Sequence, residues 1–325
     1  MPEVSASDWD AFVAGQSGVH LLQTSGWGAF KQAFGWQAVR LISGEAGAQI
    51  LFRKLPLGFS LAYIPKGPVG QTQKAFWDEA EDFSRRQRAV FLRVEPDAWQ
   101  PEGELARPEN FLAGAHAVQP QRTIVISLEG NEDTLQARMK QKTRYNIRLA
   151  ERRGVQVRSS DRVDLFYEMM TITGSRDNFG VHSQPYYQAA YDIFHPAGAC
   201  ELLMAEYEGE TLAGLMVFQH QGRAWYFYGA STEAHRNLMP TYLLQWEAMR
   251  WARAQGCRIY DLWGVPDEDE RVLEDEFTSR SDGLWGVYRF KRGFGGDVRR
   301  SAGPWDRVYH QLLYGLYQWS AGRED

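Results

Sequence analysis

The chain has 325 residues, 44% of them hydrophobic, with 36 Lys or Arg against 41 Asp or Glu for a formal charge of −5. That length exceeds what one hydrophobic core sustains, so two domains are expected, and the negative balance excludes a surface that coats nucleic acid indiscriminately. No apolar run reaches the ~20 residues of a membrane-spanning helix, the start MPEVSASDWD lacks the regions of a signal peptide, and the two distant cysteines suit a reduced cytoplasmic protein.

In chain order, LAYIPKGPV (61 to 69) predicts a strand that runs into a Pro/Gly turn. A helix follows with Phe76, Ala80 and Phe83 on one face, and AVFLRVEP (89 to 96) supplies the next strand. RTIVISL (122 to 128) alternates as a strand, after which Asn131 caps a helix that runs to about Arg153, with Gly154 as its stop. AWYFYGAS (224 to 231) repeats the first pattern: a strand, a helix opened by Pro240 with Leu244, Ala248, Trp251 and Ala252 on one stripe, then CRIYDLWGVP (257 to 266) as a strand. An offset of about 165 residues sets Tyr63 against Tyr228 and Glu95 close to Asp261.

This predicts a duplicated α/β fold with mixed sheets. The first domain spans 1–130, completed by a C-terminal helix within 304–325 that carries Val308, Leu312, Leu316 and Trp319 on one side; the second spans 131–303. No heptad pattern announces a long coiled-coil arm.

Charge is strongly segregated. Between Arg138 and Arg158 stand eight Lys or Arg and one acid, and Lys140, Arg144, Arg148 and Arg152 fall at steps of four, a cationic stripe on one helix face. Like charges at that spacing cost roughly 0.2–0.5 kcal/mol each, so a stripe without interleaved acids points to an anionic partner. Eight acids against two arginines follow between Asp267 and Asp282, read as a mobile loop. GVYRFKRGFGG (286 to 296) then reads as a strand over 287 to 292, with Tyr288 and Phe290 facing one way and Arg289 and Lys291 the other.

The seven histidines show no metal-ligand spacing, and there is no phosphate-binding loop, nucleophile elbow or dinucleotide fingerprint. The repeated strand–turn–helix–strand layout suits acetyltransferase-like (GNAT-like) domains, which hold the coenzyme A pyrophosphate on backbone amides of a glycine-bearing loop at a helix N-terminus. Here the matching stretch is His235-Arg236-Asn237-Leu238-Met239-Pro240, without either glycine. The scaffold therefore reads as an acyltransferase that has lost its coenzyme pocket.

LLQTSGWGAFKQAFGW (21 to 36), YIPKGPV (63 to 69), KTRYNIRLAERRGV (142 to 155), FYGAS (227 to 231), YDLWGVP (260 to 266) and YRFKRGFGGDV (288 to 298) together resemble the Fem-type (FemA/FemB/FemX) aminoacyltransferases of peptidoglycan cross-bridges. The resemblance implies transfer of an amino acid from aminoacyl-tRNA to the side-chain amine of a stem-peptide diamino acid, without coenzyme A or metal. It implies a UDP-linked or lipid-linked muramyl pentapeptide as acceptor, a monomer in the cytoplasm, and peripheral contact with the inner membrane face. Phe290 and Lys291 match the family's Phe-Lys dipeptide, which places Lys291 at the tetrahedral intermediate or the terminal ribose phosphate. Glu95 stands where an Asp is frequent and would orient or deprotonate the amine. Lys31 and Arg176 resemble residues that meet the precursor's phosphates, and Tyr228 one that lines its pocket. Arg289 and Arg292 join the cationic stripe as contacts to tRNA. Two other readings compete: an acyl-CoA-dependent N-acyltransferase on another amine or a polysaccharide, and a non-catalytic protein that binds RNA or the precursor.

Overall fold

The computed structural model of the chain describes residues 3–100, 107–177 and 179–321. By its internal contacts the chain divides into a unit formed by residues 1–121 with 300–325 and a second unit formed by residues 122–299.

In the first unit the sheet runs in the order Trp36–Ser43, Ala46–Lys54, Ser60–Pro65, Ala89–Glu95, Trp305–Val308 and Leu112–Ala113. Neighbours are antiparallel except Ser60–Pro65 and Ala89–Glu95, which lie parallel and are joined by the helix Lys74–Arg86. Phe76, Ala80 and Ser84, at steps of four, are the buried face of that helix. Both strands of the parallel pair are buried at every position, as strands covered on both faces are.

The second unit repeats the plan. Its sheet orders Asp297–Ser301, Arg122–Ser127, Ile259–Asp261, Arg223–Ser231, Glu210–His220, Cys200–Tyr207 and Gln156–Ser159. The parallel pair here is Arg223–Ser231 with Ile259–Asp261, joined by the helix Pro240–Ala254. Glu95 and Asp261 are each the last residue of the second parallel strand, and each is a buried carboxylate. The repeat offset read from the sequence thus marks two strand ends with the same kind of side chain.

Several elements differ from the sequence reading. Tyr288 to Lys291 is not a strand but the end of a helix, Trp285–Lys291, continued by the short helix Arg292–Phe294. Trp285, Tyr288, Lys291 and Phe294 are buried at steps of three, a helical period that coexists in this stretch with a strand-like alternation. Arg289 and Lys291, two positions apart on a helix, therefore diverge: Arg289 is exposed and Lys291 buried. The acidic run is also no loop throughout, because Glu270–Glu276 is a helix pinned by the fully buried Leu273.

The basic helix is interrupted. Glu132–Arg138, capped by Asn131, stops at the extended, buried Met139, and a second helix spans Gln141–Arg152. Residues 304 to 320 form the strand Trp305–Val308 and then the helix Gln311–Ala321. That helix turns Tyr314 and Tyr317 toward Phe91, with ring centroids 5.1 and 4.9 Å away, and leaves Leu312, Leu316 and Trp319 exposed. The face expected to pack inward points out. Among the described residues no helix exceeds 15 residues, so none forms a long coiled-coil arm, and none is long and apolar enough to cross a membrane.

Candidate functional site

Lys291 is the centre of the second unit's candidate site. It is 5% exposed, and its Nζ donates to the carbonyl oxygens of Trp263 at 2.7 Å and Gly264 at 2.8 Å. Trp263 holds a left-handed backbone conformation, φ 57°, sparsely populated by bulky residues, which lets two successive carbonyls converge on one ammonium. The turn is fixed from behind by Asp261, whose Oδ1 accepts from Trp263 N at 2.8 Å and from Thr123 Oγ1 at 2.5 Å. Burial pushes the Lys291 ammonium down to about 7, against the smaller opposing pull of Asp261. An ammonium has three hydrogens; two go to these carbonyls, and the Nζ also lies 5.5 Å from the centroid of the Tyr226 ring.

Phe290 lies beside Lys291 in a ring cluster, 5.1 Å from Tyr242 and 5.1 Å from Phe294. Its place is in packing, half-buried against the second unit's core.

The cationic helix meets the same element. Lys140, at its N-terminus, donates its backbone N–H to Gly293 O at 2.9 Å. A Cβ on Gly293 would stand 2.3 Å from Thr143 Oγ1, so this close approach requires glycine. Lys140, Arg148 and Arg152 are exposed on the helix, while Thr143, Asn146, Ile147 and Ala150 form its buried side. Arg144 turns back instead, donating to the carbonyls of Gln136 and Met139 at the end of the preceding helix. Arg292 is engaged by the acidic helix: it forms a two-point ion pair with Glu274 and lies 3.9 Å over the Phe277 ring. Tyr288 also donates to Glu274, at 2.7 Å.

Tyr228 belongs to a cluster of rings. Tyr187 is 5.2 Å away, Phe218 6.0 Å, His182 6.1 Å and Tyr186 6.3 Å, and burial holds its phenol protonated far above the usual range. Arg176, at the end of the helix Val163–Asp177, pairs with Asp177 through two bonds of 2.8 Å and donates to Ser231 O at 3.2 Å. Its charge is largely balanced by its own neighbour.

In the first unit Glu95 is 3% exposed. It accepts from Tyr63 Oη at 2.5 Å, Val118 N at 2.5 Å and Gln119 N at 3.1 Å. Burial raises its pKa, although these bonds and the nearby buried Lys66 favour the carboxylate. Both units therefore set a buried lysine near the carboxylate that ends a parallel strand: Lys66 with Glu95, and Lys291 with Asp261. The sequence offset aligns the two carboxylates but not the lysines, which stand 225 positions apart and are brought to them by the fold. Lys31 lies 5.6 Å from both the Trp27 and Phe30 rings; burial, then repulsion from Arg53, lowers its ammonium to about 8.

Comparison with known proteins matches this architecture. The profile of the FemAB family covers residues 4–104, and that of an acetyltransferase (GNAT) domain covers residues 137–292. The lipid II:glycine glycyltransferase of Staphylococcus aureus is 25% identical over 405 positions, spanning 97% of this chain and 94% of that protein. A crystal structure of FemX superposes with a TM-score of 0.84 at 24% identity, covering 98% of this chain and all of that one. The C-terminal domain of a lysylphosphatidylglycerol synthetase from Agrobacterium fabrum shares the fold more distantly, with a TM-score of 0.61 at 12% identity over 97% of this chain and 95% of that one. With the FemAB profile over its first unit, an acetyltransferase profile over its second and a relative matched from end to end, the chain is similar along its whole length to the Fem-type (FemAB) proteins.

Proposed function

We propose that this chain transfers an amino acid from aminoacyl-tRNA to the side-chain amine of the diamino acid in a peptidoglycan precursor, without coenzyme A. The observation that carries this reading is the docking of the cationic helix on the turn that follows Lys291, through Lys140 N–H and Gly293 O. A phosphate backbone held along Arg148 and Arg152 would deliver its acylated end beside one buried ammonium whose pKa burial lowers to about 7. The chemistry is aminolysis of an ester: the free amine attacks the carbonyl carbon, a C–N bond forms, and the ribose oxygen leaves with a proton from the amine. Charge develops on the carbonyl oxygen, and the Lys291 ammonium is the group suited to meet it. Glu95, Lys31, Arg176 and Tyr228 are proposed to serve the acceptor.

The loop from His235 to Pro240 supports a donor other than acyl-CoA. Leu238 N–H and Met239 N–H already donate to His235 O and Arg236 O, and Pro240 has no N–H to offer a pyrophosphate. The S. aureus relative is named for lipid II and glycine, which supports a cross-bridge role here and a lipid-linked precursor as one of two acceptors to try. The test is incubation with a pool of charged tRNAs and either the UDP-linked or the lipid-linked pentapeptide. Mass spectrometry should find the acceptor heavier by one aminoacyl residue; product from acetyl-CoA instead would overturn the proposal. Arg148→Ser with Arg152→Ser should weaken tRNA binding and flatten its log–log salt slope by about 0.7–0.9 per lost contact. An unchanged slope would remove the helix from the tRNA path.

A further inference from the structure

The four most exposed large apolar side chains among the described residues are Leu312 (87%), Leu57 (84%), Leu316 (62%) and Trp319 (61%), and all lie in the first unit. Leu312, Leu316 and Trp319 fall at steps of four and three on the helix Gln311–Ala321, one stripe opposite Tyr314 and Tyr317. Leu57 tops the turn between the strands Ala46–Lys54 and Ser60–Pro65. Direct contacts tie the turn to the helix: the Phe59 ring is 5.2 Å from His310, next to the helix start, and Arg88 lies 4.9 Å over Phe59. Arg85 lies 4.5 Å over Tyr309.

The three segments that meet here, 53 to 59, 85 to 88 and 309 to 321, contain Arg53, Lys54, Arg85, Arg86 and Arg88 and no acid. All five cations are exposed. We propose that this apolar stripe and its cationic border dock the first unit on an anionic lipid bilayer, with the helix Gln311–Ala321 lying in the plane of the interface. An amphipathic helix at a membrane surface sinks its apolar face about 5–10 Å into the headgroup boundary while basic residues meet anionic lipid. Trp319 suits that depth, since indole joins an apolar body to an N–H. A second copy of the chain is the weaker occupant: a self-complementary contact would set this border of five cations against itself.

The inference stands on the surface alone and not on the acyl-transfer reading, because it is tested without either substrate. The full chain is mixed with phosphatidylcholine vesicles, with or without phosphatidylglycerol, and sedimented. Binding is expected to the anionic vesicles and to fall at least about tenfold in Leu312→Ser/Leu316→Ser/Trp319→Ser. Arg85→Ser/Arg86→Ser/Arg88→Ser should reduce it to the level of the neutral vesicles. Leu57→Ser, which leaves the helix untouched, should weaken it as well. The proposal is overturned by wild-type protein that stays in the supernatant, or by the apolar variant binding as wild type does. It is overturned equally if light scattering shows a dimer that the apolar variant dissociates while vesicle binding persists.

Discussion

Lys291→Met is expected to lower turnover by about 10²–10³-fold with precursor affinity nearly unchanged, the loss that follows removal of one contact made chiefly in the transition state. Methionine keeps the length of the stem, so the comparison isolates the ammonium from the packing. The Trp263 and Gly264 carbonyls each lose a donor, a cost of about 1–3 kcal/mol per group left buried, so the melting temperature is measured beside the rate. The pH profile separates two roles. An ammonium lowered to about 7 that must be charged to act makes kcat/KM fall as pH rises through 7. With an anionic substrate beside it the same limb moves to higher pH in kcat. Lys291→Arg, which stays charged, should lose that alkaline limb while keeping the rise set by deprotonation of the acceptor amine. A kcat/KM that instead climbs through 7 in the wild type and flattens in Lys291→Met would make Lys291 a base.

The same lowered pKa has a sign in stability. Between about 7 and the ordinary 10.5 the unfolded chain holds a proton on Lys291 that the folded chain has released. Stability therefore rises with pH across that window, and below 7 the cost of the buried charge is fully present. The wild type should gain on Lys291→Met as the pH is raised from 7 toward 10, a difference readable in paired denaturant titrations.

What the sequence made legible was periodic and local. Phe76, Ala80 and Phe83, read as one helix face, are two buried residues and a half-buried one, with Ser84 completing the face, and the two strand–helix–strand units recur at a fixed offset that aligns Glu95 with Asp261. GVYRFKRGFGG failed because aromatic and basic residues alternate there while also recurring every third position, and only the contacts of Trp285, Tyr288 and Phe294 decide between the periods. The stripe at Lys140, Arg144, Arg148 and Arg152 was arithmetic. That Arg144 serves the carbonyls of a helix end and Arg292 serves Glu274 depends on an interruption at Met139 and a helix at Glu270–Glu276, neither announced by composition. The C-terminal stripe shows the converse: its residues do share a helix face, but polar tyrosines hold the inner side because Tyr314 has a buried carboxylate to meet.

That carboxylate carries the second large effect. Asp306, which is 0% exposed, receives Arg93, 1% exposed, through bonds of 2.8 Å from Nε and 2.7 Å from Nη2, and Tyr314 Oη donates to it at 2.8 Å. The two residues face each other across the pairing of Ala89–Glu95 with Trp305–Val308, so the ion pair fastens the late strand to the early sheet. Asp306→Ala should destabilise the protein by about 3–5 kcal/mol, because it strands a guanidinium where water does not reach. That corresponds to a fall on the order of 10 °C in melting temperature. Arg93→Met with Asp306→Leu should recover most of the loss, since the desolvation cost goes with both charges. Unlike Lys291→Met, Asp306→Ala should leave kcat per folded molecule intact, and it should loosen the helix Gln311–Ala321, which holds to the unit through Tyr314. Vesicle binding and melting temperature would then fall together in Asp306→Ala, while Leu312→Ser/Leu316→Ser/Trp319→Ser loses only the first. A drop of less than about 3 °C in Asp306→Ala would mean that water reaches Arg93 and the strand is held by its backbone alone.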